Sequence, residues 1–586
     1  MPLVFRSYPG RRPSRAVKTG RTAIGGENPV RVQSMLTSDT MDTEACVKET
    51  LGLARAGCEI VRITAPTVKD ARNLEAIRDA LRDAGCDVPL VADIHFKPEA
   101  ALEAAKWVDK VRINPGNFAD SKKFAVREYT DAEYAAEIGR IRERFAPLVE
   151  LCKQRGIAMR IGTNHGSLSD RIMNRFGDTP LGMVESALEF ARLARELDYH
   201  DFVFSMKASN PKVMIQAYRL LVARLDELES TEGGGWNYPI HLGVTEAGDG
   251  EDGRIKSAIG IGSLLADGIG DTIRVSLTED SEHEIPVAQV LENIAATRPP
   301  APALESWPFD PFSYARRTSE VLQMGGHKLG GAELVRVAVR QAAFEKIVHK
   351  LDGLGDYKPE LIVEECGLVE VDPRDAEAIV RVNASAAPVF VTIPDSCELP
   401  VIGAYRLLAS QIDARHPILL KDTFAPAAST DFVHNLLNAA TNIGSLLCDG
   451  IGDAVLVQGE EAPGQSLRIA YNILQAAAVR IFKTDYVACP SCGRTLFNLQ
   501  ETTARIKAAT SHLKGVKIAI MGCIVNGPGE MADADFGYVG GAPGKVNLYI
   551  GKTPVKFHIP QAEAVDRLVD LIREHGRWVE PVQHKV

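Results

Sequence analysis

Between residues 30 and 277, short runs rich in β-branched residues alternate with amphipathic stretches of helical spacing, and this alternation limits the fold more than any other feature. It is typical of βαβ units that build a parallel sheet. The eight predicted strands are Val30–Met35, Ile60–Thr64, Pro89–His95, Lys110–Pro115, Ala158–Asn164, Phe202–Ser209, Ile240–Gly248 and Asp271–Leu277. The predicted helices include Thr43–Gly57, Val68–Gly85, Pro98–Trp107, Leu181–Asp198, Pro211–Leu228 and Ile255–Asp267.

Eight strand-then-helix units in about 270 residues predict an α/β fold that begins with a closed (β/α)8 TIM barrel. A doubly wound open sheet is the structural alternative, but no GxGxxG motif follows the first strand. Catalytic residues of such barrels lie where the strands end. Polar residues on the inward face at those ends are therefore the candidate site residues.

The predicted strand ends carry many polar side chains: Arg62, Asp93, His95, Arg112, Asn114, Arg160, Asn164, Lys207, Ser209, Glu246, Arg274 and Ser276. Five of them are cations, each on a different strand, and an unpaired buried cation costs several kcal/mol. The cations could instead pair with carboxylates, or face outward if the register is shifted by one residue. Five cations on five different strands favour a site that binds a polyanion. Because arginine binds phosphate oxygens bidentately, a diphosphate is the predicted ligand. Asp93 is equally consistent with a functional acid and with a salt bridge to an arginine.

A repeat divides the rest of the chain. Ile261–Asp271 reads IGSLLADGIGD, and Ile443–Asp453 repeats it at ten of eleven positions, 182 residues later. Thr297–Phe312 is proline-rich and reads as a linker. We therefore predict a barrel over residues 1–296 and a duplicated, shortened barrel-like spacer over 297–480. The spacer has few of the polar strand ends, which favours a scaffold role over a second active site.

Residues 481–586 form a third predicted domain, an α+β module with cysteine-containing loops. Cys489 and Cys492 form CPSC, and Cys523 follows 31 residues later in GCIVNGPGE. Such a set holds either zinc or an iron–sulfur cluster, and the spacing alone does not choose between them. The fourth thiolate is missing, and Glu530 is the nearest candidate replacement, although a loop carboxylate is usually just exposed. A carboxylate ligand can be exchanged for a substrate oxygen.

The amino-acid composition limits the binding partners and the cellular location that are expected. The chain of 586 residues has 67 Lys and Arg against 77 Asp and Glu, a net charge of −10, which argues against a nucleic-acid partner. No run of 18 apolar residues exists, so no membrane span is expected, and the basic N-terminus lacks the apolar core of a secretory signal. Ten cysteines in this length argue against a secreted disulfide scaffold. We expect a cytoplasmic protein.

A series of motifs appears in a fixed order along the chain: VRVQSM, LVADIHF, VRINPGN, RIGTNHGSL, GVTEAG, GIGDTIRVSL, ACPSCGRT and GCIVNGPGE. Through them the chain resembles the family of 4-hydroxy-3-methylbut-2-enyl diphosphate synthases, iron–sulfur oxidoreductases of the methylerythritol phosphate route to isoprenoids. The resemblance covers residues 30–295 and 481–540. The block between them resembles the insert of the long, three-domain members.

This resemblance implies reductive ring opening of 2-C-methyl-D-erythritol 2,4-cyclodiphosphate, with single electrons from ferredoxin or flavodoxin passing through a [4Fe–4S] cluster. It implies that the cluster lies on Cys489, Cys492, Cys523 and Glu530, and that Glu246 donates a proton when the hydroxyl leaves. The five barrel cations would bind the diphosphate, and Asp93 and His95 would line the pocket. Neutral hydrogen bonds would come from Asn114, Asn164, Ser209 and Ser276. With the insert as spacer, the module can cap its own barrel, so we expect a monomer or a loose homodimer.

Two other classes of function stay open at this point. One is a non-catalytic zinc or iron–sulfur protein that uses the barrel as a binding platform. The other is a pterin-binding barrel of the dihydropteroate-synthase or corrinoid-methyltransferase kind, which also has polar strand ends. A neutral pterin explains neither the three-cysteine module nor five cations, and the order of the motifs favours the first interpretation.

Overall fold

The computed structural model describes residues 3–94, 96–119, 128–425, 431–524, 527–531 and 533–581. A hairpin, Val17–Thr19 (β1) and Thr22–Ile24 (β2), precedes the barrel. In the described residues eight parallel strands follow: Arg31–Met35 (β3), Ile60–Thr64 (β4), Leu90–Asp93 (β5), Lys110–Ile113 (β6), Ala158–Asn164 (β7), Phe202–Lys207 (β8), His241–Leu242 (β9) and Thr272–Ile273 (β10). Their order is β8-β7-β6-β5-β4-β3-β10-β9, and a bridge from Phe204 to Ile240 joins β8 to the start of β9. The ring closes, which confirms the predicted (β/α)8 barrel.

Helices connect the strands: Thr43–Ala56 (α1), Val68–Asp83 (α2), Pro98–Ala104 (α3), Pro115–Phe118 (α4), Asp131–Arg155 (α5), Asp170–Phe176 (α6), Pro180–Glu196 (α7), Pro211–Glu232 (α8), Gly250–Ala266 (α9) and Glu284–Thr297 (α10). Local sequence sets their ends: a Thr67–Asp70 capping box begins α2. The seventh and eighth strands are much shorter than predicted. After β9 the chain leaves the sheet, and Glu246 has a φ of 48°, a left-handed conformation foreign to strands.

The hairpin closes one end of the barrel. Val17 and Ile24 pack on a fully buried apolar layer formed by residues from four strands: Ile60, Val91, Ala158 and Val203. These strand residues lie toward the N-terminal ends of β4, β5, β7 and β8. Since this end is filled with apolar side chains, the opposite end, where the strands finish, is left for a site.

After the linker come an antiparallel hairpin and a second set of parallel strands. The hairpin strands are Leu322–Met324 (β11) and His327–Leu329 (β12), and the parallel strands are Arg336–Val339 (β13), Leu361–Ile362 (β14), Val369–Glu370 (β15), Val391–Thr392 (β16), Leu419–Lys421 (β17) and Ala454–Leu456 (β18). The helices of this region are Gln341–Ile347 (α11), Ala376–Asn383 (α12), Val401–Gln411 (α13), Phe432–Cys448 (α14) and Pro463–Ala476 (α15). The sheet β14-β13-β18-β17 continues through a Val391–Ile418 bridge to β16 and β15. The described residues of the insert thus form a partial barrel.

Local contacts show that this insert repeats the start and end of the first barrel. Each copy begins with a hairpin (β1–β2 or β11–β12) that leads into the first parallel strand (β3 or β13). Ser14 donates to Asp271 at 2.7 Å in the first copy, and Ser319 donates to Asp453 at 2.8 Å in the second. The two aspartates end the two copies of the eleven-residue repeat. The repeat is therefore a structural duplication as well as a sequence one.

The two copies are joined by a buried ring of charges beside the α9–α14 contact. Arg219 donates to Asp267 and to Asp449, both at 2.8 Å, and Arg406 donates to Asp449 at 2.9 Å and to Asp267 at 2.6 Å. All four side chains are at most 4% exposed. Removing one member of a buried ion pair costs about 3–5 kcal/mol because its partner stays charged. The ring therefore fixes how the insert sits against the barrel.

The C-terminal part is a mixed sheet with helices. Its strands are Asp485–Ala488 (β19), Lys517–Met521 (β20), Phe536–Ala542 (β21), Lys545–Ile550 (β22) and Thr553–Pro560 (β23), paired in chain order; its helices are Leu499–Thr510 (α16), Gly527–Glu530 (α17) and Gln561–Glu574 (α18). The first three strands are parallel and the last pairings are antiparallel. This module rests on the barrel of its own chain, where Lys256 pairs with Asp485 at 3.0 Å.

The described elements group as predicted along the chain, but the boundaries at residues 296 and 480 stay predictions. Throughout the part of the chain that the structure describes, no helix has both the length and the apolar composition to cross a bilayer. The strand ends of the barrel and the cysteine loops of the module face each other across a shared cavity.

Candidate active site

A cavity lies between the strand ends of the barrel and the cysteine loops of the module. It contains about 670 Å³ of space free of protein atoms, part of it open to solvent. Most of the predicted site residues line it: Arg62, Asp93, Arg112, Arg160, Asn164, Lys207, Glu246, Arg274, Ser276, Cys489, Cys492, Cys523 and Glu530. The structure therefore brings together in one place residues up to 468 positions apart in sequence (Arg62 to Glu530).

Three predicted site residues are not among those that line the cavity. The side-chain oxygen of Asn114 accepts from the Gly116 amide, and its Nδ2 donates to Ser167, so Asn114 caps the short helix α4. Ser209 lies past the end of β8, in the turn before α8, and is half-buried. His95 lies outside the described residues. Roles for these three in substrate binding stay predictions.

The barrel wall of the cavity carries more positive than negative charge. Arg112 donates to Asp93 at 2.9 Å, and Arg62 lies 3.9 Å from the same carboxylate. Arg274 pairs with Glu284 at 3.1 Å. Asp93 thus forms the salt bridge that was one of its two predicted roles.

Arg160 differs from the other arginines. It is 1% exposed, and none of its three guanidinium nitrogens has a hydrogen-bond partner among the described residues. Burial, followed by the charges of Arg62 and Arg112, holds the pKa of Arg160 well below its usual value. Lys207 behaves in the same way: burial and then the neighbouring arginines lower its pKa. Cations that repel each other in a dry site are stabilised by a polyanion placed between them.

Gly162 on β7 makes room for the guanidinium groups. A Cβ atom at this position would lie 2.8 Å from Ser205 Oγ and 3.0 Å from Arg112 Nε. Contacts that short require the neighbouring side chains to move. The missing side chain therefore allows Arg112 and Arg160, which face each other across β6 and β7, to occupy the barrel mouth together.

The module wall brings three cysteines to the cavity. The Gly522 amide donates to Cys489 Sγ at 3.2 Å, and the Cys492 amide donates to Thr495 Oγ1 at 3.0 Å. Thr278 of the barrel donates to the Cys489 carbonyl at 3.1 Å, which ties the CPSC loop to the segment that follows the eighth barrel strand, β10. The Thr278 hydrogen bond thus holds the loop against the barrel through a backbone carbonyl, whereas the other two contacts shape the loop within the module.

Arg494 is a cavity residue that sequence reasoning missed. Burial lowers its pKa, but the charges of Cys492, Asp93 and Cys523 more than offset that effect, so the pKa rises above its usual value. Its Nε and Nη1 are buried and have no hydrogen-bond partner among the described residues. The sequence contains one clue to this residue: in CPSCGRT, Arg494 lies two residues after the candidate ligand Cys492.

Two carboxyl groups meet at the contact between barrel and module. Glu246 is 4% exposed, and burial together with the adjacent Glu530 raises its pKa well above the usual value. Glu530 also accepts a hydrogen bond from Asn164 Nδ2. A buried carboxyl whose pKa is raised in this way is suited to donate a proton.

The same contact depends on two glycines. A Cβ on Gly529 would lie 2.1 Å from the Gly166 carbonyl oxygen, and a Cβ on Gly166 would lie 2.1 Å from the Gly529 carbonyl oxygen. Backbone therefore approaches backbone between the loop after β7 and the loop that carries Glu530. Sequence reasoning missed this contact because the two glycines are 363 residues apart.

The donor set of the module fits an iron–sulfur cluster. No three His, Cys, Asp or Glu side chains of the described residues are arranged to hold a single metal ion. In a [4Fe–4S] cluster each iron takes its own protein ligand, so the ligands surround the cluster and do not converge on one point. Cys489, Cys492, Cys523 and Glu530 share one cavity, and Arg494 supplies positive charge beside two of the thiols.

Comparison with known proteins agrees with this geometry. Residues 14–289 match the GcpE TIM-barrel domain, and residues 485–574 match the GcpE protein C-terminal domain. A protein of Akkermansia muciniphila named 4-hydroxy-3-methylbut-2-en-1-yl diphosphate synthase (flavodoxin) is 61% identical over 576 residues, which cover 97% of this chain and 98% of that one. An Arabidopsis thaliana protein named as the chloroplastic, ferredoxin form is 44% identical, with 97% of this chain and 88% of that one covered. The chain belongs to the GcpE family of 4-hydroxy-3-methylbut-2-en-1-yl diphosphate synthases.

Proposed function

We propose that the chain reductively opens 2-C-methyl-D-erythritol 2,4-cyclodiphosphate to (E)-4-hydroxy-3-methylbut-2-enyl diphosphate, a step of isoprenoid biosynthesis. One observation carries the proposal: a single cavity has an excess of arginine and lysine on its barrel wall and three cysteines with a glutamate on its module wall. Phosphate groups match the first wall, and an iron–sulfur cluster matches the second. The family supports the same reaction.

The barrel residues would bind and orient the substrate. Arg160, Lys207 and Arg62 would hold the diphosphate, because their charges are buried and repel each other until an anion arrives. Ser276 and Asn164 lie on the same wall and are able to form neutral hydrogen bonds. The module, which covers the strand ends of the barrel, would exclude water from the cavity.

Proton delivery would come from Glu246. Burial and the adjacent Glu530 raise its pKa well above the usual value, which favours the protonated form, and it lies at the junction of the two walls. The leaving hydroxyl needs one proton to depart as water, and a positioned carboxylic acid supplies it. Glu530 would have two roles, as cluster ligand and as the neighbour that helps burial to raise the pKa of Glu246.

A [4Fe–4S] cluster on Cys489, Cys492, Cys523 and Glu530 would supply single electrons and an iron with a replaceable oxygen ligand. The electron donor would be a small carrier protein of the flavodoxin or ferredoxin class. The relative of 61% identity is named for flavodoxin, so flavodoxin is the donor to test first. A cytoplasmic location stays a prediction.

The proposal is tested by metal analysis of protein purified without oxygen. We expect about four irons per chain, an EPR signal after reduction that changes when the cyclic diphosphate is added, and turnover with reduced flavodoxin. Cys489→Ser should lose the signal, whereas the matched control Cys86→Ser, outside the cavity, should keep it. One zinc and no iron, even after anaerobic reconstitution, would contradict the proposal.

We also propose that the module of each chain serves the barrel of the same chain. The contacts from Lys256 to Asp485 and from Thr278 to the Cys489 carbonyl support this, since both partners belong to one chain. Mixing Cys489→Ala protein with Arg112→Met protein should then give no more activity than the two variants show separately. Recovery of about a quarter of the wild-type activity, the share of intact sites in a random mixture of dimers, would mean that modules serve neighbouring chains.

A further inference from the structure

A second polar layer lies inside the barrel, below the arginines. Gln33, Lys110 and His241 are at most 1% exposed, and none of their side-chain nitrogen and oxygen atoms has a hydrogen-bond partner among the described residues. Inward positions at this depth of a barrel are usually filled by branched apolar side chains. A buried lysine without a partner carries a large energetic cost when charged. This layer is not part of the cavity wall.

Lys110 lies directly below the anion site. On β6 it precedes Arg112 by two residues, so both side chains point into the barrel. Its register partner on β7 is Ala158, and Arg160 follows Ala158 by two residues. Lys110 is therefore one layer below Arg160 and is not itself in contact with the cavity.

The groups around Lys110 give it an unusual charge environment. Arg160 on β7 and Arg62 on β4 repel its ammonium, and His241 on β9 is a buried imidazole whose pKa is itself lowered by burial and by Arg160. Asp109, next in the chain, attracts the ammonium only weakly. Burial, and then the charges of Arg160 and Arg62, lower the pKa of Lys110 to about 7. The amine is thus poised to gain or lose a proton near neutral pH.

We propose that Lys110 is a proton-binding site linked to the anion site above it, so that a diphosphate bound by Arg160 and Arg62 is accompanied by uptake of one proton onto Lys110. The inference rests on the proposed function only in that it needs a diphosphate at these arginines. The anion cancels the positive charge that repels the ammonium, so the protonated form becomes the stable one. The site then takes up an anion together with a proton. The net charge of the buried site therefore changes by one unit less than it would if the anion bound alone.

Proton uptake on Lys110 depends on the pH of the solution. Below about pH 6 Lys110 is already protonated in the free protein, so binding takes up no proton there. Above about pH 8 the free amine is mostly neutral, and each bound diphosphate brings about one proton with it. In that range this proton makes diphosphate affinity fall by about tenfold per pH unit, in addition to any pH dependence of the ligand.

Calorimetry with inorganic pyrophosphate tests the link without an assembled cluster. Binding is measured at pH 8 and at pH 6 in two buffers with different ionisation enthalpies, for wild type and for Lys110→Met. Protons exchanged by pyrophosphate are common to both proteins and cancel in the difference. We expect wild type to take up about one proton more than Lys110→Met at pH 8 and almost none more at pH 6.

Two further variants separate charge from proton exchange. Lys110→Arg keeps a permanent charge that attracts the anion, so it should bind pyrophosphate more tightly than Lys110→Met, with no extra proton. Lys69→Met, at an exposed position, should match wild type. Equal proton counts in wild type and Lys110→Met, with pyrophosphate bound by both, would overturn the Lys110 inference and leave the proposed function intact. Failure of wild type to bind pyrophosphate at all would overturn both.

Discussion

Gly529→Ala is expected to lower turnover at least about 100-fold while the protein stays folded and keeps its iron. The added methyl group would lie 2.1 Å from the Gly166 carbonyl oxygen, a distance that two unbonded atoms cannot share. Relief requires the loop that carries Glu530 to move away from the barrel by about 1 Å or more. A displacement of that size between groups that act together costs about 100-fold in rate.

Gly529 is the better of the two glycines for this experiment. Gly166 has a φ of +74°, so a substitution there strains the backbone as well as blocking the contact, whereas Gly529 does not adopt such a conformation. Gly139→Ala is the matched control, because a Cβ at that position meets no atom within 4 Å. Turnover, iron content and circular dichroism are measured on all three proteins. Wild-type turnover in Gly529→Ala would show that catalysis does not need the close approach of the two loops.

Site residues at the strand ends could be predicted from the sequence. Residues whose role depends on contacts between distant parts of the chain could not be predicted as well. Arg62, Arg112 and Arg160 were found because alternation along a parallel strand fixes which side chains face inward. Asn114 and Ser209 follow the same alternation, yet one caps a helix and the other lies past its strand. For Asn114 a local hydrogen bond decides the position of the side chain, and for Ser209 the strand ends two residues earlier; the alternation of residues along the strand reveals neither.

Contacts across the chain lie beyond such reasoning. The eleven-residue repeat revealed the duplication, but Arg219 and Arg406, which complete the buried ring with Asp267 and Asp449, lie outside the repeat. Arg494 enters the cavity only because the module folds back onto the barrel. In each case the partner is supplied by tertiary packing, which no local pattern encodes.

Arg160→Met and Arg274→Met are expected to weaken pyrophosphate binding alike but to change stability in opposite directions. Each removes one buried cation from the cavity wall, and a charge-assisted hydrogen bond to an anion is worth about 1.5–3 kcal/mol, or about 10–150-fold in affinity. Arg160 has no hydrogen-bond partner among the described residues, so its loss should raise the free energy of unfolding by about 1–3 kcal/mol. Arg274 pairs with Glu284, so its loss should lower that free energy by about 3 kcal/mol.

Urea denaturation of the ligand-free proteins at pH 7 and calorimetric titration with pyrophosphate measure the two effects. The decrease in the free energy of unfolding expected for Arg274→Met lies at the lower end of the range of about 3–5 kcal/mol for a broken buried ion pair. The reason is that Glu284 keeps hydrogen bonds from Ser34 Oγ and from the Leu277 amide. Equal destabilisation of both variants would mean that Arg160 has a stabilising contact in the free protein, and unchanged pyrophosphate affinity would remove Arg160 from the anion site. An arginine that lowers the stability of the free protein is retained only if its charge is required for another purpose, such as ligand binding. The opposite signs would therefore identify Arg160 as a residue kept for its ligand, and Arg274 as one that also holds the barrel together.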